Sequence, residues 1–174
     1  MAELYIWLFV FAAILFVFGS AAYASFRAAP WLPLRSKDHS RVLKYMKGRK
    51  GLLVDLGAGD ARMLVDVVRG TDLTAHGFEI SFIPFVAGLL RLQLARAGKR
   101  AKMLFKDFFM EDLSSVDVIY CFLTPSAMER LKPKFERELK KGSRVISYSF
   151  SIHGWNPTVV DRDGTGIPVW VYDR

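Results

Sequence analysis

The sequence predicts a doubly wound α/β domain with a mostly parallel, seven-stranded sheet, held behind one membrane-spanning helix. Three observations predict it. The first 26 residues hold a long charge-free apolar run, later apolar stretches alternate with amphipathic ones, and the last two flank a glycine-containing turn.

Between residues 4 and 26 no side chain is charged, and twelve of these 23 positions are Leu, Ile, Phe or Val. As a helix the stretch reaches roughly 35 Å, against a hydrocarbon core of about 30 Å. Ala22-Tyr23-Ala24 imitates a cleavage site, but a cleaved signal calls for a basic start and a shorter apolar core, and the early charge here is Glu3. Residues 1–28 are therefore expected to be a retained anchor. Residues 27–50 hold Arg27, Arg35, Lys37, Arg41, Lys44, Lys47, Arg49 and Lys50 against Asp38, so most of the net charge of +8 lies beside the anchor. The positive-inside bias then puts the N-terminus outside and the domain in the cytoplasm, with the basic cluster facing anionic lipid. No basic stripe interleaved with aromatics lies elsewhere, which argues against a nucleic-acid partner.

The elements follow in order. Pro30-Trp31-Leu32-Pro33 marks the exit from the membrane, with Trp31 at the interface, and Ser36 caps a helix over 37–47 whose apolar side is Val42, Leu43 and Met46. Residues 29–50 thus form a basic linker and helix, and 51–174 the main domain. Strands are expected over 52–56, 73–78, 102–105, 116–123 and 144–150, and helices over 61–68, 82–97 and 126–139. Strands over 158–161 and 167–172 flank Asp163-Gly164-Thr165-Gly166, a hairpin that makes the sheet edge antiparallel. The single cysteine, Cys121, excludes both a disulfide framework and a cysteine metal site.

Chemistry concentrates in Val54-Asp55-Leu56-Gly57-Ala58-Gly59-Asp60, a strand entering a glycine turn at the end where open α/β sheets bind ligands. Glu79 follows Gly59 by 20 residues, at the end of the next strand, where an acid can hold both hydroxyls of a ribose. A dinucleotide site would place a third glycine near position 62, which here is Arg62. Asp55 and Asp60 beside the turn repel a pyrophosphate and attract a cation. S-adenosylmethionine brings an ammonium and a sulfonium, and these electrostatics favour it over NAD.

Asp55-Leu56-Gly57-Ala58-Gly59, Glu79 and Lys106-Asp107-Phe108 resemble, in order, the motifs of class I S-adenosylmethionine-dependent methyltransferases, which have a Rossmann-like seven-stranded sheet. The resemblance implies that Asp55, Gly57 and Gly59 meet the methionine end of the cofactor, Glu79 the ribose and Asp107 the adenine. A narrower resemblance spans the membrane helix, Pro30 to Pro33, Val54 to Arg62, Gly77-Phe78-Glu79, residues 139–150 and His153-Gly154-Trp155. These are similar to the membrane-anchored protein lysine methyltransferases that modify the mitochondrial ATP/ADP carrier and the c subunit of ATP synthase. Ala61 departs where that family usually has glycine, and Ser81 where it usually has asparagine.

Lysine methylation adds a physical demand, because an ammonium with a pKa near 10.4 must lose its proton first, at about 4 kcal/mol near neutral pH. A dry aromatic mouth beside a sulfonium lowers that barrier. Tyr148, Phe150 and Trp155 are expected to build it, with Thr124 closing the neighbouring strand and His153 available to take a proton. With no helix expected between Phe150 and the last hairpin, the mouth should be open and suit a protein side chain, without a metal. The expected activity is methyl transfer to a lysine of a membrane or membrane-associated protein. The alternatives are methylation of a lipid or quinone, and a non-catalytic membrane scaffold.

Overall fold

The computed structural model describes residues 1–27, 34, 36–162 and 166–174. The Pro30 to Pro33 exit with Trp31, the Ser36 side-chain cap and the Asp163-Gly164-Thr165 turn fall outside the described residues and side chains.

Helix α1 (Ala2–Arg27) contains the apolar stretch Ala2–Ala24 and is, among the described residues, the one helix long and apolar enough to cross a membrane. Helix α2 (Ser36–Lys44) precedes an alternation of β1 (Leu52–Leu56), α3 (Arg62–Gly70), β2 (Thr74–Glu79), α4 (Phe82–Leu94), β3 (Ala101–Phe105), β4 (Val118–Cys121), α5 (Pro125–Glu138) and β5 (Arg144–Tyr148). Strands β6 (Val159–Asp161) and β7 (Val169–Asp173) complete a seven-stranded sheet in the order β3-β2-β1-β4-β5-β7-β6. The first five strands are parallel; β7 runs antiparallel to β5 and to β6. The Rossmann-like sheet with an antiparallel terminal hairpin is therefore present, and residues 149–158 contain no helix.

Alternation along each strand divides the core between the two faces of the sheet. Leu53, Val118 and Tyr120 pack with Leu64 and Val67 of α3, whereas Val54, Ile119 and Cys121 pack with Met128, Leu131 and Phe135 of α5. Helix α2 is integral to the first core, because Val42 and Met46 are fully buried there. Arg41 donates to Asp38 (2.7 Å) and to Asp161 Oδ1 (3.2 Å), Lys44 pairs with Asp161 (2.6 Å) and Arg49 with Asp173 (2.8 Å). Three of the eight basic residues expected to face lipid are thus paired within the fold, where they hold α2 against the terminal hairpin.

Two boundaries differ from expectation for local reasons. Helix α4 ends at Leu94 rather than near 97 because Arg96 turns left-handed, at φ 51°, ahead of Gly98 at 67°. Strand β4 is shorter than the apolar run because its pairing with β1 stops at Cys121, after which the chain turns to Thr124, whose hydroxyl caps α5.

Candidate active site

The carboxyl ends of β1 and β2 converge on one loop. Gly57 at φ 86°, Gly59 at 53° and Ala61 at 62° reverse the chain between β1 and α3. Glycine adopts this region freely, whereas Ala61 bears roughly 1–2 kcal/mol of strain, which explains why a glycine suits that position better. The Gly57 and Ala58 N–H groups both donate to the Phe78 carbonyl, at 3.0 and 2.9 Å, and the Gly59 N–H donates to Glu79 Oε2 at 2.9 Å. Such an approach leaves no room for a side chain at Gly77, where a Cβ would lie 2.5 Å from the Ala58 Cβ and 2.7 Å from Leu64 Cδ1. Gly88 does the same for α4, since a Cβ there would lie 3.3 Å from the Gly59 carbonyl oxygen.

Asp55 lies at this loop, only 3% exposed, and among the described residues no donor reaches its carboxylate. Burial pushes its carboxyl well above the usual carboxylate range, and the Glu79 charge adds to the shift. Glu79 is held differently: Oε1 accepts the Ile80 and Ser81 N–H groups at 2.9 and 2.7 Å, and among the described residues Oε2 accepts only the Gly59 N–H. A carboxylate oxygen has two lone pairs, so Oε2 keeps one acceptor site for a hydroxyl. Among the described residues, both acids stand without a lysine or arginine partner.

Asp60 does not. The sequence reading paired it with Asp55 as a carboxylate facing a cationic ligand, but Oδ2 already meets Arg62 at 2.9 Å and Arg91 at 2.7 Å. Its charge is neutralised within the chain. Asp107 follows β3, where Oδ1 accepts the Phe109 N–H at 3.0 Å and the Tyr23 hydroxyl of α1 donates to Oδ2 at 3.4 Å.

The aromatic mouth expected after β4 and β5 is only partly assembled. Tyr148 is 2% exposed, and its hydroxyl donates to Asp38 at 2.8 Å, on the α2 side of the sheet. Trp155 packs edge-on to Tyr172 at 5.7 Å and donates through Nε1 to Glu136 of α5 at 3.0 Å. Both are thus held by polar partners on the flanking helices α2 and α5. Thr124 uses its hydroxyl to accept the Ala127 N–H, and His153 is exposed in the turn before Trp155. Phe150 alone of the three aromatics turns outward, 38% exposed. Ser149 places it there by adopting φ 79°, a strained value for a non-glycine residue; its N–H donates to the Pro168 carbonyl at 2.9 Å, and Ser147 Oγ donates to the Phe150 carbonyl at 2.6 Å. Sequence reasoning missed Gly88, Arg91 and Ser149. A glycine inside an apolar helix was the available signal for the first; the other two leave none.

Residues 55–159 match the family described as the ANTKMT methyltransferase domain. The chain belongs to this family. The adenine nucleotide translocase lysine N-methyltransferase of Mus musculus is 34% identical over 83% of this chain and 62% of its own length. A lysine N-methyltransferase of Homo sapiens, named for the c subunit of ATP synthase, is 32% identical over 83% and 61%. The chain therefore spans about three-fifths of these two relatives. A protein-lysine N-methyltransferase of Saccharolobus islandicus is 35% identical over 75% of this chain and 83% of its own. Among solved structures, an RNA methyltransferase from Salinibacter ruber in complex with S-adenosyl-L-homocysteine superposes with a TM-score of 0.75, at 24% identity, over 82% of this chain and 93% of that one. At that identity the likeness establishes the fold of this ANTKMT-type methyltransferase domain and nothing finer.

Proposed function

We propose that this chain transfers a methyl group from S-adenosylmethionine to the side-chain nitrogen of a lysine in a membrane or membrane-associated protein. One observation supports the cofactor above the others: a buried carboxylate, Asp55, that no donor in the described fold satisfies, set beside a glycine turn. A buried carboxylate is costly unless paired, so the pocket calls for a cationic ligand group, which the donor's ammonium provides. Glu79, with its remaining acceptor site, suits a ribose hydroxyl, and Asp107, after the neighbouring strand, is the candidate to meet the adenine. Gly57 and Gly59 leave the backbone bare for the methionine portion. Asp60 serves this cradle indirectly, by fastening the turn to α3 and α4 through Arg62 and Arg91.

When bound, S-adenosylmethionine supplies an electrophilic methyl on sulfur: the lysine nitrogen forms the C–N bond as the C–S bond breaks. The chain's own contribution is positioning and desolvation. Phe150, presented by the strained Ser149, offers an apolar wall beside the approach path, where a neutral amine is favoured over an ammonium. His153, exposed nearby in sequence, is the candidate to receive the proton released. Relatives named for lysine methylation of two membrane proteins support the substrate class, and α1 supports a single-pass anchor. By the charge of residues 27–50 the N-terminus lies outside and the domain in the cytoplasm.

The test is transfer of a radiolabelled methyl group into a membrane fraction. Label recovered as methyllysine after protein hydrolysis is the expected result; label confined to the organic extract would assign a lipid or quinone substrate instead.

A further inference from the structure

Helix α1 does not stand apart from the domain. Its Phe16 ring meets Phe82 edge-on at 5.3 Å and Phe105 at 6.4 Å, and Phe105 in turn packs on Phe85 at 5.1 Å. One turn later, Ser20 Oγ accepts the Phe82 N–H at 3.1 Å and so caps α4, which its own Ser81 leaves uncapped. Near the end of the span, the Tyr23 hydroxyl reaches Asp107. These contacts fix the depth of the domain. Phe16 lies eight residues before Ala24, about 12 Å along the helix axis. Wherever a hydrocarbon core of about 30 Å is placed within the apolar stretch, Phe16 stays roughly 9 Å or more below its surface. Phe82 and Phe105, which touch it, are brought to the same level.

Apolar, exposed residues adjoin these contacts along the chain: Ile83, next to Phe82, is 60% exposed, and Met110, in the loop after Phe105, is 78% exposed. They follow β2 and β3, on the rim of the sheet's carboxyl ends that carries Glu79 and Asp107. The charged pair on that rim, Lys106 with Glu111 at 2.8 Å, has a long cationic side chain able to extend to headgroup level.

We propose that this rim is a membrane-docking surface: Phe82, Ile83, Phe105 and Met110 enter the lipid beside α1 and seat the mouth of the cleft at the headgroups. The occupant is the bilayer itself, because the rim is continuous with the helix that spans it. An apolar face of this kind beds some 5–10 Å into the headgroup and acyl boundary. The consequence for substrate choice is direct: the lysines within reach are those at the membrane surface rather than on soluble proteins. This inference rests on α1 being a membrane span.

The test uses the full chain in phosphatidylcholine vesicles containing phosphatidylglycerol, with an environment-sensitive fluorophore on Ile83→Cys, Met110→Cys, Leu8→Cys within α1, or Lys141→Cys ahead of β5, at the amino end of the sheet. Native Cys121 is buried, with its thiol pushed up to about 12, and stays unlabelled. Thermal melting verifies that each labelled chain is folded. Brominated lipids are expected to quench the Leu8, Ile83 and Met110 positions at least about threefold more than Lys141. Quenching at Leu8 with Ile83 and Met110 no different from Lys141 would overturn the docking proposal and leave the anchor standing. No quenching at Leu8 would overturn the anchor and the docking together.

Discussion

At the β1–β2 end of the sheet's carboxyl edge, the residues that matter belong to one short loop and the strand beside it. At the β4–β5 end, they come from segments with competing partners. Asp55, Gly57, Gly59 and Glu79 are placed by backbone geometry: left-handed turns, two N–H groups on one carbonyl, a carboxylate fastened by three backbone donors. Tyr148 and Trp155, by contrast, are held by hydrogen-bond partners on α2 and α5. A site written into the backbone is robust to context, whereas an aromatic side chain goes wherever burial and a polar partner draw it.

The largest expected effect tests the backbone-built end. Gly77→Ala forces a Cβ against Ala58 and Leu64, both in or next to the glycine turn. It should destabilise the fold by about 3 kcal/mol, measured by chemical denaturation, and weaken cofactor binding even where the chain remains folded. An unchanged midpoint would mean that the turn is not pressed against β2. At the other end, Trp155→Ala should lose about 2 kcal/mol of stability and leave the donor's affinity intact. Phe150→Ala should do the reverse, with stability within about 0.5 kcal/mol of the parent but a clear fall in methyl-transfer rate. If the two variants exchanged these phenotypes, Trp155 would line the mouth after all.

A smaller effect concerns charge. The folded chain holds the Asp55 proton more tightly than the unfolded chain, so this group's contribution to stability is complete below about pH 3.9. It is lost as pH rises through the raised folded value. Asp55→Asn removes that loss, so the ligand-free variant should melt higher than the parent at neutral pH, by about 1 kcal/mol, while binding the donor more weakly. A lower melting temperature would mean that a partner already satisfies the carboxylate. The smallest effect is expected for Ala61→Gly, where relief of φ strain is offset by the lost methyl and the added chain entropy. The net change should stay within about 1 kcal/mol in thermal melting.

What was legible in the sequence follows the same division. The seven strands and their helices were readable because apolar periodicity and glycine turns are local properties. The meeting of the glycine turn after Asp55 with Glu79 was readable because one turn and one strand spacing define it. The neutralisation of Asp60 was not, since Arg91 reaches it from 31 residues away. Nor was the Tyr148 bond to Asp38, across 110 residues, or the pairing of Arg41 and Lys44 with Asp161, which turns an expected lipid-facing helix into part of the core. Thr124, read as closing the strand beside the mouth, instead caps α5, a role that its place ahead of Pro125 at a helix start could have signalled.

The most direct test of the cofactor cradle is calorimetric titration of S-adenosylmethionine into the solubilised full chain beside Glu79→Ala. Micromolar binding by the intact protein, weakened on the order of a hundredfold in the variant, is the expected result. No binding by the intact protein, or equal affinity in the two, would contradict the assignment and leave a methyltransferase fold without its cofactor.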